Sequence, residues 1–189
     1  MSGVLVLTES EVMRAISMRD AIDALDGAFR EYAGGRAIVP PRLGLTIPEG
    51  GGAFRMMSAV LPSTGVFGMK TLTGYPGRRT DDETYFVVLL FSMSDGALRA
   101  VVPANYLTGL RTGAASGLAA RYLANPSART LGLLGAGVQG WFQVMALKEA
   151  CPLAQVRSTP TTGAPRGSQA ASRPSSGSPQ PQSSARATP

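Results

Sequence analysis

Apolar positions near the start of the chain recur with the spacing of helices. Thr8 with Glu11, and Ser17 with Asp20, have the spacing of capping boxes, so two helices are predicted to begin at these points. The second predicted helix carries a stripe of large apolar side chains, which we expect to face the core: Ile22, Leu25, Phe29 and Tyr32. A glycine pair beginning at Gly34 predicts the end of this helix.

Short apolar runs and turns then alternate along the chain, which predicts a sheet. Runs rich in β-branched and aromatic residues occupy positions 43–47, 54–61, 66–73, 85–92 and 98–102, after a short strand at 4–7. Turns rich in glycine and proline separate most of these runs. Ser94-Asp95-Gly96 lies between the last two runs and predicts a hairpin. The first hundred or so residues therefore favour an α+β arrangement.

A long helix rich in glycine and alanine is predicted over 104–124, where Asn125-Pro126 closes it. Its small side chains allow close packing, so we interpret this helix as a connector between two domains. A buried strand at 131–134 and an amphipathic helix at 138–150 follow, and a second strand is predicted to begin at 153–156.

A complete G-x-G-x-x-G turn, formed by Gly135, Gly137 and Gly140, joins that strand to that helix. This order of elements is typical of a dinucleotide-binding crossover. The first glycine permits the tight turn, the second lets the backbone approach a pyrophosphate, and the third lets helix and strand pack closely. The alternative is a tight strand-to-helix turn without a ligand.

The acid that such a motif usually carries about 20 residues further on is missing, because no acid follows Glu149. Arg157 would instead favour a 2′-phosphate, if the second strand places it at the ribose.

Composition narrows the functional classes. The longest apolar runs among the 189 residues are too short to cross a bilayer, so we expect no membrane partner. The absence of histidine removes Ser-His and Cys-His nucleophile pairs and histidine-based metal sites, and we expect no metal. The start of the chain lacks the pattern of a signal peptide. Cys151 is the single cysteine and cannot form an internal disulfide, so a cytoplasmic location is expected.

The net charge of +6 does not indicate nucleic-acid binding. Four arginines lie beyond Glu149, where no acid occurs, which leaves +2 for the rest of the chain. That remainder has no basic stripe interleaved with aromatic residues, so we expect no nucleic-acid partner.

The segment 158–189 contains neither large apolar residues nor acids. It cannot bury enough apolar surface to offset roughly 1–2 kcal/mol of backbone entropy per residue, so disorder is expected. A frameshifted or truncated reading frame of a GC-rich gene gives this composition, and a natural flexible tail is the alternative. Resequencing the locus would decide between them.

Three isolated basic residues lie among apolar or small neighbours: Arg42, Lys70 and Arg111. Converging cations of this kind would suit a substrate that carries a carboxylate. A partly buried lysine can also act as an acid or a base with a lowered pKa. The alternative for each residue taken alone is a surface or salt-bridged position.

Three motifs of the chain resemble those of a known protein family. The run GMKTLTGYPG at 68–77, the run LRTGAAS at 110–116 and the run GAGVQ at 135–139 resemble, in order and spacing, the ornithine cyclodeaminase/mu-crystallin family. The likeness covers about residues 1–156.

The resemblance implies an α/β fold in which an α+β substrate and dimerisation domain precedes a Rossmann domain. On this chain those parts would be residues 1–124, with the connector helix, and an incomplete dinucleotide-binding domain at 125–157, followed by a disordered tail at 158–189. The resemblance also implies a homodimer.

The family binds NAD or NADP and acts on a small amino acid or cyclic imine. In the cyclodeaminase branch, ornithine passes through an imine to proline and ammonia. The alternatives are a ketimine reductase or amino-acid dehydrogenase, which are oxidoreductases rather than lyases, or an inactive fragment that retains only a dimerising domain.

The resemblance also implies residue roles. Arg42, Lys70 and Arg111 would bind the substrate carboxylate, and Lys70 would be catalytic, close to the reacting centre. The implied cofactor-binding residues are Thr84, Gly135, Ala136, Gly137, Val138, Gln139 and Gly140.

Two departures from the family pattern stand out. Arg55 lies near the position of an acid in the ornithine-converting branch, and this argues against recognition of a distal ammonium group. The family's catalytic aspartate would lie beyond the family-like sequence of this chain.

Overall fold

The computed structural model of the chain describes residues 3–75 and 85–159. Its strands are β1 (Leu5–Val6), β2 (Leu43–Ile47), β3 (Gly52–Leu61), β4 (Val66–Gly74), β5 (Phe86–Ser92), β6 (Leu98–Pro103), β7 (Thr130–Leu134) and β8 (Gln155–Thr159). Its α-helices are α1 (Glu9–Ala15), α2 (Met18–Ala33), α3 (Asn105–Leu123) and α4 (Val138–Ala150).

The first six strands form one mixed sheet in the order β1-β6-β5-β4-β3-β2. The β1 strand pairs with β6 in parallel, and the other neighbours are antiparallel. The predicted hairpin at Ser94-Asp95-Gly96 is confirmed, since Gly96 has a φ of 70° and the Ala97 amide donates to Asp95 Oδ1 at 3.1 Å. Local turn chemistry therefore sets the β5–β6 hairpin of this sheet.

Both predicted capping boxes are confirmed. The Thr8 side chain accepts from the Glu11 amide and the Glu11 carboxylate accepts from the Thr8 amide, which begins α1. Ser17 and Asp20 do the same at the start of α2. These reciprocal bonds satisfy backbone donors that have no partner within the helix, so the sequence marks both helix starts locally.

The small residues of α3 permit close contact with α4. A Cβ atom built at Gly113 would lie 2.3 Å from the Phe142 carbonyl oxygen, and one at Gly117 would lie 3.0 Å from the Ala146 carbonyl oxygen. Ala146 is fully buried and Phe142 is 7% exposed. These two helices and the first half of α2 form one apolar cluster around Ile22 and Leu110.

The apolar stripe on α2 is only partly buried, so the prediction of a core-facing helix is wrong for its second half. Ile22 is fully buried, but Phe29 and Tyr32 are 52% and 57% exposed. They line an open apolar cleft of about 210 Å³ with Val39 and Leu61. The α3 helix follows α2 along this second half, where Tyr122 bonds to Asp26 and Arg30, but Phe29 and Tyr32 face the cleft instead.

The α/β fold class is confirmed. Strand β7, helix α4 and strand β8 form a crossover whose two strands pair in parallel, with Thr130 opposite Gln155 and Leu134 opposite Thr159. In the described residues no helix is long and apolar enough to cross a membrane. The domain boundaries at 124 and 157 stay predictions. The predicted disorder of the segment 158–189 is wrong for Ser158 and Thr159, which pair with β7 as part of β8, and the rest of that segment lies outside the described residues.

Candidate active site

Register in the sheet places Lys70 on the face that the helices cover. Met57 pairs with Lys70, Lys70 with Val88, and Val88 with Val102, so their side chains point to one side. Val88 and Val102 pack in the cluster that includes Val12 of α1. Lys70 therefore extends into the space between the middle of the sheet and the helices.

Arg42 directly precedes Leu43, the first residue of β2, and β2 pairs with β3 beside the strand that carries Lys70. Arg42 lies close enough to Lys70 for its charge to lower the pKa of that lysine. Arg111 approaches the same space from α3.

The environment of Lys70 disfavours its charged form. Burial, followed by the positive charges of Arg111 and Arg42, lowers the pKa of Lys70 from 10.5 to about 8. Its Nζ atom lies 3.5 Å from the Thr108 hydroxyl oxygen and 5.2 Å from the centre of the Phe86 ring. An amine with this pKa can take up or release a proton near neutral pH.

The cationic cluster of Arg42, Lys70 and Arg111 has no carboxylate partner in the part of the chain that the structure describes. Burial and the charge of Arg42 lower the pKa of Arg111 as well. The four ion pairs among the described residues lie elsewhere: Arg19–Glu149, Arg30–Asp26, Arg99–Asp95 and Arg121–Asp23. Three like charges that weaken one another favour an anionic ligand between them.

The glycine turn has the geometry of a phosphate cradle. Gly135 has a φ of 90°, which only glycine adopts readily. A Cβ atom at Gly140 would lie 2.8 Å from the Gly135 carbonyl oxygen, so this glycine permits the close strand–helix contact. At Gly137 a Cβ atom would meet nothing within 4 Å, and the backbone there faces open space.

The start of α4 offers unpaired donors to a ligand. Gly137 is the residue that caps the helix, and it makes no side-chain bond to the first-turn amides; none is made by another side chain that the structure describes. Ala136, Val138 and Gln139 are exposed around it, and Gly140 is buried. Free amides and the positive end of the helix dipole favour phosphate at such a position. The residues therefore fit a dinucleotide pyrophosphate.

The structure brings three of the predicted site residues together and leaves others apart or undescribed. Arg42 and Arg111 lie close enough to Lys70 for their charges to lower its pKa, whereas Thr84 lies outside the described residues. Arg157 is exposed on β8, opposite Gly132. Sequence reasoning missed Thr108 and Phe86. Thr108 lies one helical turn before Arg111, which is the signal that would have found it.

A six-stranded sheet with a cationic pocket, joined through a helix to a glycine-turn crossover, defines an α/β protein of the dinucleotide-binding class. The chain belongs to the ornithine cyclodeaminase/mu-crystallin family, whose model matches residues 3–173. That match extends beyond residue 156, where the motif resemblance ends.

Relatives and solved structures agree with this membership. The chain is 38% identical to an alanine dehydrogenase of Archaeoglobus fulgidus over 155 residues, 81% of this chain and 47% of the relative. It is similar, with a TM-score of 0.75 and 38% identity, to a solved archaeal alanine dehydrogenase dimer with bound NAD, covering 82% of this chain and 48% of that one.

A second solved structure is Δ1-pyrroline-2-carboxylate reductase of Thermococcus litoralis in complex with NADH and L-proline. Its TM-score is 0.76 at 30% identity, with 82% of this chain and 49% of that chain covered. The chain thus spans about half the length of the curated relatives it matches.

Proposed function

We propose that this chain forms the substrate side and the phosphate cradle of an NAD(P)-dependent enzyme that converts a small amino acid through its imine. The observation that carries the proposal is the cationic cluster around Lys70, which has no carboxylate partner within residues 3–75 and 85–159, on a chain that also presents an open glycine turn. The relatives bound to NAD, and to NADH with L-proline, support this pairing of ligands.

Within this proposal, Arg42 and Arg111 bind the substrate carboxylate, because guanidinium groups pair with carboxylates through two parallel hydrogen bonds. Lys70 also binds the substrate carboxylate. It exchanges a proton near the reacting carbon, since a pKa of about 8 makes both its ammonium and its neutral amine accessible. Gly137, Val138 and Gln139 hold the cofactor phosphates with backbone amides. Bound nicotinamide would supply hydride transfer at the substrate α-carbon.

The position of Arg55 favours a reductase or dehydrogenase over an ornithine-converting enzyme. Arg55 pairs with Leu72, two residues from Lys70 on β4, so it lies on the same face of the sheet. A cation there repels a second ammonium group on a substrate. We therefore infer a substrate without a distal positive charge, and alanine or a cyclic imine satisfies that condition.

The outer face of the sheet supports a homodimer. Phe67 and Phe91 stack on it with their ring centres 5.3 Å apart, and Met69 and Leu89 lie beside them, all of them partly exposed. A second copy placed on this face would remove these side chains from water. We place the protein in the cytoplasm because its one cysteine, Cys151, has no second cysteine to bridge.

The cofactor half of the proposal is tested by titrating NADH into the purified chain and measuring Trp141 fluorescence. Trp141 is the single tryptophan, lies in the first turn of α4 and is 63% exposed. Bound NADH should quench its emission by energy transfer, with saturation at micromolar to millimolar cofactor. If millimolar NADH leaves the Trp141 emission unchanged, once light absorption by NADH itself is corrected for, the chain does not bind the cofactor.

Lys70→Met should stabilise the fold at pH 7 by about 1 kcal/mol. This gain is well below the free energy that corresponds to the full pKa shift of Lys70, because part of the side chain reaches solvent. The unfolded lysine keeps its proton up to about pH 10.5, whereas the folded one loses it near pH 8. Wild-type stability therefore rises between these pH values, and the advantage of the methionine variant shrinks there.

Urea denaturation at a series of pH values from 7 to 10.5 measures this difference. Lys148→Met removes the only other lysine, which is exposed at the end of α4, and serves as the control. An equal pH dependence for both variants would show that Lys70 titrates as an ordinary surface lysine.

A further inference from the structure

Two side chains outside the sequence motifs hold the Lys70 amino group from different elements. The Thr108 hydroxyl on α3 lies 3.5 Å from Nζ, and the Phe86 ring on β5 lies below it, with 5.2 Å to the ring centre. Thr108 is only 9% exposed. The charged groups that lower the pKa of this amine are Arg111 of α3 and Arg42 before β2.

A neighbouring threonine shows that the direction of the Thr108 hydroxyl is specific. Thr112, one turn later on α3, donates its hydroxyl to the Thr108 carbonyl oxygen at 2.6 Å. A threonine within a helix usually bonds back to its own helix in this way. Thr108 directs its hydroxyl across to β4, although both residues are partly or wholly buried on the same helix.

We propose that Thr108 is a positioning residue that holds the Lys70 amino group toward the anion pocket, with Phe86 as its second support. The inference rests on the proposed function, in which that pocket binds the substrate carboxylate. Thr108 acts through Lys70 and not on the substrate directly.

The chemistry of the two supports differs. A hydroxyl accepts a hydrogen bond from the lysine ammonium and donates one to the lone pair of the neutral amine. An aromatic face attracts the ammonium much more strongly than the neutral amine. Thr108 therefore keeps the amine in place in either protonation state, whereas the hold of Phe86 weakens once the proton leaves. A lysine side chain fixed beforehand loses less conformational entropy when the ligand arrives.

The test uses the full chain with lysine labelled by ¹³C at Cε. Lys70 and Lys148 are the only lysines, so two side-chain signals are expected, and Lys148→Arg assigns them. The Cε shift is followed against pH, without ligand and with sodium propionate as a carboxylate probe. Propionate should raise the pKa of Lys70 because an anion favours the ammonium.

Thr108→Val should lower the pKa of Lys70 further and weaken propionate binding roughly threefold to tenfold, because a hydrogen bond to a charged group is lost. Thr108→Ser should restore both values. Thr112→Val is the matched control and should leave both near wild type, since the Thr112 hydroxyl serves only its own helix in the described residues. Thr108→Ala removes the same hydroxyl with a smaller side chain, in case valine does not pack.

Valine and alanine variants that titrate and bind propionate like Thr112→Val would overturn the positioning role. Failure of the proposed function would give a distinct result, in which propionate leaves the pKa of Lys70 in the wild-type chain unchanged. The ligand-free titration would still report whether Thr108 supports the amine.

Discussion

Gly113→Ala is expected to lower the free energy of unfolding by about 2–3 kcal/mol. A new Cβ atom at this position would lie 2.3 Å from the Phe142 carbonyl oxygen, a distance that real contacts do not reach. The obstacle is backbone, so no side-chain rotation relieves it and α4 must move away from α3. That movement would loosen the cluster that buries Leu110, Ala114 and Phe142. Urea denaturation followed by circular dichroism measures the loss.

Gly27→Ala is the matched control for this prediction. Gly27 also lies inside a helix, α2, but is exposed, and a Cβ atom there meets nothing within 4 Å. Alanine is the better helix former, so this variant should gain about 0.5–1 kcal/mol. The same chemical change thus has opposite effects at the two sites. A Gly113→Ala variant as stable as Gly27→Ala would mean that α4 does not pack against α3 at this distance.

The helix starts and most strand bounds could be predicted because their signals are local. Thr8 and Ser17 bond to residues three positions away, and the turn at Gly96 needs only its own φ. Burial is not local. The stripe on α2 has the right spacing along its whole length, yet its exposure depends on which face of α2 the neighbouring helix contacts, and α3 bonds to Asp26 and Arg30 rather than covering Phe29 and Tyr32.

The candidate site combines both kinds of information. The glycine turn is contiguous, so the sequence shows all of it. Convergence around Lys70 requires the register of β2, β3 and β4 together with the position of α3, and no motif encodes that arrangement. The position of Phe86 could not be predicted from a motif, because only the pairing of Leu72 with Phe86 across β4 and β5 brings its ring beside Lys70.

Gly137→Asp should make the fold more stable and weaken cofactor binding roughly a hundredfold. Gly137 caps α4 with a φ of −80° and a ψ of −172°, a conformation that any residue adopts. Space for a side chain is free, and aspartate is a better helix cap than glycine that also opposes the helix dipole favourably. A gain of about 0.5 kcal/mol in the free energy of unfolding is expected.

The same aspartate would occupy the amides that the proposed cradle offers to phosphate, and its charge would repel the pyrophosphate. Loss of one or two charge-assisted hydrogen bonds with added repulsion amounts to about 3 kcal/mol, or roughly a hundredfold in affinity. Quenching of Trp141 by NADH measures it. Ala150→Asp, with the same charge about 20 Å away at the other end of α4, should bind NADH like wild type. If Gly137→Asp also kept its affinity, the start of α4 would not be the place where phosphate binds, because no dinucleotide could share those amides with a carboxylate.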